Sequence, residues 1–515
     1  MRILLMHPEE DFHVEREPPP GSVDLVEDLG LGLLFQAMAG QDQLVLAVAK
    51  AAVLCPLAEP EEIVWRQQVL TDCIANPGFA KELYVLATET LDNHRRRSFW
   101  GTSASPESLR YASIEALEML LGQLVRLRRL MEGPGQGMSS RAFARLRSML
   151  VVELDDAYMT VLQRHLDELK LTRGLYVSAQ LGRANKATAY LLHTAPPRGW
   201  RERLANRGQR GLSFTVPERD ENGLRALGEL QAKGVNIAAN ALAQSVEKVL
   251  GLFTSLRTEL AFYIGCLNLH DALSNKGEPI CTPVPLRSNG GFKAEGLYDP
   301  SLSLGTEGRV VGNDVVADGK ALVVITGANR GGKSTFLRSV GIAQLMLQSG
   351  MFAPATSFEA GLAPRMFTHF KRDEDAAMRG GKLDEELRRM STTISQISRG
   401  SVLLCNEPFG STNEREGSDI GRQVFLPLIK AGVSVFVVTH LYDLAESLYN
   451  KGLHEALFLH APRQIGAKPF KLVEGAPEAT AYGEDVYQRV FGERPTGRDH
   501  PREAAAGPAT QATSL

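Results

Sequence analysis

ALVVITGANRGGKSTFLRSVGIAQLMLQ, residues 321–348, is the stretch on which the fold turns. A run of aliphatic residues, Leu322 to Ile325, has the texture of a buried parallel strand, and a 3.6-residue apolar period follows from Phe336. Between them stands Gly327-Ala328-Asn329-Arg330-Gly331-Gly332-Lys333-Ser334-Thr335. Strand, glycine-rich turn, Lys-Ser and helix together are what a phosphate-binding loop requires. The glycines let main-chain N–H groups curl around a phosphate, and the helix N-terminus adds a favourable dipole. Lys333 is expected to bridge β- and γ-phosphates of ATP, and the Ser334 hydroxyl to ligate Mg²⁺.

Two further buried-strand runs end in chemistry. Val402-Leu403-Leu404-Cys405 leads to Asn406-Glu407, and Val433 to Val438 leads to Thr439-His440. Ligands of open α/β sheets lie beyond the carboxyl ends of the strands. Glu407 is therefore placed to polarise a water, and His440 to sense a γ-phosphate. Many phosphate-loop ATPases carry an Asp where this chain has Asn406. An amide can still accept from a metal-bound water or from Ser334, but it brings no charge to the cation. Retained activity and slowed, weakly Mg²⁺-dependent hydrolysis both stand as readings.

Working outward, β-rich runs alternate with helical patterns from about residue 291 to 497, predicting a parallel sheet covered by helices. Residues 498–515 are rich in Ala, Pro and Thr and predict a disordered tail. Upstream, 23–290 reads as a helical domain behind an extended leader, 1–22, that closes on Pro18-Pro19-Pro20-Gly21. Leu242, Val246, Val249, Leu250, Phe253, Leu256, Leu260, Tyr263, Ile264 and Leu267 predict a helix of about 30 residues. It serves either as a rigid lever or as a packed core helix.

Within the helical half, about 174–220 breaks the pattern. LYVSAQLG and LSFTVPE read as strands of a small insertion. Arg183, Lys186, Arg198, Arg201, Arg203, Arg207 and Arg210 face a single acid, with Trp200 among them. This run is either a solvated loop or a surface whose arginines hold DNA phosphates while Trp200 stacks.

The bulk numbers narrow the classes. A net charge of −3 leaves no overall nucleic-acid footprint, so any DNA contact must be local. Five scattered cysteines without C-x-x-C spacing argue against a disulfide framework or zinc site, and for a reducing, cytoplasmic setting. No apolar stretch approaches the ~18 residues of a membrane span, so no membrane association is expected.

At the quoted motifs the chain resembles the MutS family of DNA mismatch-repair ATPases. The order Asn313-Asp314, TGANRGGKST, SVLLCNEPFGST, VVTHLYDL is similar to the family's ATPase domain, whose loop reads TG-P-N-x-GGKST. Gly475 and Ala481-Tyr482-Gly483 are similar to its closing "G…SYG" element. The resemblance covers about 290–492. It extends more weakly to DLGLGLLFQAMA, CPLAEPEEIVWRQQVLTDCIANP and SLRTELAFYIGCLNLHDAL in the helical half. It implies an ABC/MutS-like α/β P-loop ATPase domain behind a helical core and lever domain, with Asn313 and Asp314 beside the nucleotide. It also implies a homodimer through the ATPase domains, composite sites and contact with DNA.

Departures accompany the likeness. Ala328 replaces the family's Pro, and Asn406 its Asp. The segment that presents a Ser to the partner's γ-phosphate aligns with Gly381-Lys382-Leu383-Asp384-Glu385-Glu386-Leu387. Lys382 either supplies charge in trans or is a surface lysine. With no segment matching the family's mismatch-reading and connector domains, a divergent paralogue is expected. Two rival classes remain: a nucleotide-gated scaffold with little turnover, and an ABC-type ATPase subunit, which the helical half and the missing Leu-Ser-Gly-Gly-Gln oppose.

Overall fold

The structure is a computed structural model. It describes residues 2–98, 105–172, 174–183, 187–193, 215–217, 219–287, 290–328, 330–372, 381–462 and 470–478. Helices come first: α1 (Ser22–Asp28), α2 (Leu31–Ala39), α3 (Gln43–Leu54), α4 (Pro60–Ala75), α5 (Pro77–Ser98), α6 (Pro106–Glu132), α7 (Arg141–Glu153) and α8 (Asp156–Leu169). Short polar caps start several of them. Asp42 accepts from Leu44 N and Val45 N ahead of α3, and Ser105, Ser140 and Asp155 do the same for α6, α7 and α8.

A hairpin, β1 (Tyr176–Leu181) and β2 (Ala187–His193), precedes α9 (Glu221–Ser274). LYVSAQLG forms β1, as its alternation predicts. Its partner is ATAYLLH, inside the basic run, and not LSFTVPE, whose described residues 215–217 carry no strand. Helix α9 is 54 residues long, against the ~30 expected from its apolar spacing. At 1.5 Å per residue it reaches about 80 Å. Residues Thr258 to Leu267 are buried on every side, so this stretch of the helix is threaded through the core, while its start, 221–230, is largely exposed.

The helical half also encloses the amino-terminal segment, which packs inward where the sequence suggested a mere leader. Ile3, Leu4, Leu5 and Met6 are buried. Glu259 of α9 accepts from Leu5 N (2.5 Å) and Met6 N (2.9 Å), and Tyr263 Oη donates to Leu5 O (2.7 Å). From α4, Trp65 Nε1 donates to Leu4 O and Arg66 Nε to Met6 O.

The second half alternates: β3 (Val284–Leu286), β4 (Phe292–Leu297), α10 (Pro300–Gly305), β5 (Asn313–Val316), β6 (Leu322–Gly327), α11 (Lys333–Gln348), β7 (Ser357–Gly361), β8 (Met366–Phe370), α12 (Lys382–Gln396), β9 (Val402–Asn406), α13 (Glu414–Lys430), β10 (Ser434–Val438), α14 (Tyr442–Asn450), β11 (Ala456–Ala461) and β12 (Val473–Glu474). The main sheet has the order β12-β11-β6-β10-β9-β8 and is parallel apart from β12. A second sheet, β3-β7-β4-β5, is largely antiparallel. It corrects the single parallel sheet read from sequence. It also shifts the boundary at 290–291, because β3 lies upstream of that point and joins β7. Pro283 and Pro285 read as a break, but an edge strand tolerates proline.

One hydrophobic core runs from Ile3 through the helices to α11 and one face of the main sheet. The opposite face packs on α13 and α14. Arg66 joins the halves, donating from Nη1 to Ser349 O at the end of α11. No helix among the described residues is long and apolar enough to cross a membrane.

Candidate functional site

The three motif strands are adjacent, β9-β10-β6, and in register: Val438 is level with both Ile325 and Asn406. Their carboxyl ends therefore open at one edge. There the loop from β6 to α11 turns on Gly327, at φ 102°. A Cβ at Gly327 would stand 2.5 Å from Ala461 O, so only glycine fits against β11. Gly332, at φ 86°, caps α11 without a side-chain acceptor, which leaves the first helical N–H groups for an incoming anion.

Lys333 is buried, and its Nζ donates to Gly327 O (2.8 Å) and Ala328 O (2.9 Å). Burial lowers its pKa, and the Glu407 charge opposes that shift. Ser334 Oγ donates to Asn406 Oδ1 at 2.9 Å. The hydroxyl and amide oxygens thus lie together, a donor pair suited to a hard cation that keeps waters and phosphate oxygens as its other ligands. Among the described residues no cluster of three or more His, Cys, Asp or Glu could hold a metal by itself.

Glu407 follows at φ 54°, and its N–H donates to Val438 O (2.8 Å). Phe409, wholly buried, is also left-handed at φ 61°. A non-glycine residue held so costs about 1–2 kcal/mol and must be fixed by its surroundings. His440 Nδ1 is 3.9 Å from Glu407 Oε2. Glu407 lines the cavity and His440 stands behind it.

That cavity, ≈ 580 Å³, is bounded on the loop side by Arg330 to Thr335, Glu407 and Asn313. Tyr298, Leu302, Arg309, Val310 and Phe470 also line it, Phe470 packing against Gly332 of the loop. Asn313 Oδ1 accepts from Leu472 N (2.7 Å) and its Nδ2 donates to Phe470 O (3.2 Å). Asp314 accepts from Gly296 N (2.7 Å) and meets Lys471 Nζ at 3.0 Å, so it holds the cavity wall and is absent from the lining. The sequence missed Tyr298, Leu302, Arg309, Val310 and Phe470, which carry no motif.

Gly381 and Lys382 open α12 and do not line the cavity. One turn on, Glu386 is buried and accepts from Phe409 N (2.5 Å) and Ser411 Oγ (3.0 Å). His369 Nε2 of β8 lies 3.7 Å away. Burial alone would raise the Glu386 pKa. The contacts from His369, Phe409 N–H and Ser411 outweigh it and hold the carboxyl below its usual value. Of the basic run, Arg183 is exposed after β1. Lys186, Arg198, Trp200, Arg201, Arg203, Arg207 and Arg210 lie outside the described residues, as do Asn329, Ala481-Tyr482-Gly483 and the tail 498–515.

Comparison with known proteins now bears on both halves. The family model described as MutS2 N-terminal domain matches residues 58–276, and that described as MutS domain V matches 323–475. A DNA mismatch repair protein MutS from Thermotoga petrophila is 32% identical over 163 residues, 32% of this chain and 20% of that protein. DNA mismatch repair protein MutS 2 from Halobacterium salinarum is 29% identical over 230 residues, 44% of this chain and 26% of its own length. MutS protein homolog 4 from Mus musculus is 27% identical over 157 residues, 30% of this chain and 16% of its own. The chain thus spans about a quarter or less of the length of these relatives. Two domain models of one lineage, matched in order along a chain with one continuous core, identify it: the chain belongs to the MutS family.

Proposed function

We propose that the protein binds and hydrolyses ATP, works as a dimer through its ATPase halves, and associates with mismatched, branched or duplex DNA in repair or recombination. The observation that carries this reading is the meeting of Lys333, Ser334 and Glu407 on one cavity at the carboxyl edge of β6, β9 and β10, with Asn406 bonded to Ser334. Loop amides and Lys333 would hold the β- and γ-phosphates and spread the charge that develops on transfer. Ser334 and Asn406 would hold Mg²⁺, which when bound neutralises phosphate charge. Glu407 orients the attacking water, and His440, 3.9 Å behind it, senses the γ-phosphate side.

The relatives, DNA mismatch repair proteins by name, support the DNA reading, and Arg183 with the basic run 183–210 offers the local charge for it. Gly381 and Lys382, on the exposed start of α12, are the proposed contribution to a partner's nucleotide. A second reading, a nucleotide-gated scaffold with little turnover, is favoured by Asn406 and by the absence of a Ser at 381–387. The ABC-type reading has no support from the MutS2 match over 58–276.

The test is a titration with an ATP analogue in the presence of Mg²⁺, followed by salt-dependent titrations with homoduplex, mismatched and branched DNA, with and without ATP. We expect nucleotide binding, and DNA binding without strong mismatch preference that weakens with salt. No affinity for adenine nucleotides would overturn the whole reading. No binding to any DNA at low salt would overturn the DNA part.

A further inference from the structure

Glu407 sits in a left-handed turn that nothing in its own sequence favours, and a second such residue follows at Phe409. The buried carboxylate that accepts from Phe409 N and Ser411 Oγ belongs to another element, α12. In turn α12 is fastened to the neighbouring strand end, because Arg389 Nη2 donates to Phe370 O (2.8 Å). Lys371 N, next along, donates to Asn406 O (3.0 Å). Lys382 and Glu386 are four apart and share a face of α12.

From this arrangement we propose that Glu386 is a positioning residue: it fixes the 407–411 turn so that Glu407 faces the cavity, and it links the exposed start of α12 to the hydrolysis site. The proposal rests on the ATPase reading above. One of the three acids of α12 thereby acquires a task distinct from binding nucleotide. Glu386 touches neither the loop nor the cavity, so its removal spares nucleotide affinity and affects turnover.

The experiment uses the full chain with Glu386→Ala, Glu386→Gln and Ser411→Ala, read by ATP–Mg²⁺ affinity, single-turnover hydrolysis and amide hydrogen exchange over residues 405–411. For Glu386→Ala we expect turnover about tenfold slower, affinity within about twofold of wild type, and exchange about tenfold faster in that segment. Glu386→Gln should recover most of both, since its carbonyl oxygen still accepts from Phe409 N and its amide can donate to Ser411 Oγ. Wild-type turnover in Glu386→Ala, unchanged exchange, or a parallel loss of affinity overturns the proposal. If Glu386→Ala does not fold, Ser411→Ala takes its place, and unchanged exchange over 405–411 there overturns it equally. If the wild type binds no ATP, the ATPase reading fails, and the exchange comparison still decides whether Glu386 fixes the turn.

Discussion

Ser334 Oγ donates to Asn406 Oδ1 across 2.9 Å, joining the first turn of α11 to the end of β9. A carboxylate at 406 would accept the same hydrogen bond and add a full charge beside the cation. In Asn406→Asp we therefore expect half-maximal activity at about tenfold lower Mg²⁺ and faster hydrolysis, followed by phosphate release across a Mg²⁺ series. A large gain marks the natural site as a dampened switch. Robust turnover that the substitution leaves unchanged would remove the scaffold reading.

Lys333 supplies the cavity's ammonium group, and both of its hydrogen bonds go to the loop's own carbonyls. Lys333→Ala should weaken ATP binding by about 100-fold, with a small change in melting temperature. A fluorescent-nucleotide titration beside a thermal melt reads both. Undiminished affinity would mean that the loop does not hold phosphate through this group.

His7 of the amino-terminal segment and Glu259 of α9, which binds that segment, are shifted in directions that give opposite pH dependences. Burial pushes the Glu259 carboxyl up to about 7, only partly opposed by the Met6 and Leu5 N–H donors. Burial, with the Arg66 charge next, pushes His7 down to about 3. Between the ordinary carboxyl value of 4.5 and about 7 the folded state holds a proton on Glu259 that the unfolded chain releases. Its contribution is complete below 4.5 and lost as pH rises to about 7. His7 works the other way: stability falls as pH drops from 6.5 toward about 3. We expect wild type to decline in melting temperature relative to Glu259→Gln as pH rises from about 4.5 to about 7. Equal declines would count against a protonated Glu259.

Gly327→Ala tests the loop's backbone. The new Cβ would meet Ala461 O at 2.5 Å and Ala461 N at 2.6 Å, with φ at +102° besides. Urea unfolding should show a loss of about 2–4 kcal/mol, because strand β11 cannot give way without breaking its pairing to β6. A neutral result would mean that the two strands are further apart than described.

What the sequence disclosed was local. A buried strand, its glycine turn and the Lys-Ser pair are contiguous, so 322–335 could be read directly, and the ends of β9 and β10 followed by the same grammar. Helix α9 was under-read because Gly223, Gly228 and Gly234 interrupt its first half. Yet Gly234 is where Val177 of the hairpin presses closest, 2.7 Å from where a Cβ would be. The ATAYLLH strand was hidden by the charges around it, and Pro285 disguised β3 as a break. Glu386 was one acid in LDEEL, and only the fold brings Phe409 and Ser411 to it. The rest of the cavity lining had no motif because Tyr298, Arg309 and Phe470 arrive from three separate connections.

The clasp between residues 3–6 and α9 also bears on how the chain is made. Leu5 and Met6 leave the ribosome more than 250 residues before Glu259, their acceptor. At 5–20 residues per second that interval is about 10–50 s, during which apolar side chains at 3–6 have no native neighbour on α9. The helical half thus closes late in synthesis, and a truncated product ending before α9 would expose the surface that this segment normally covers.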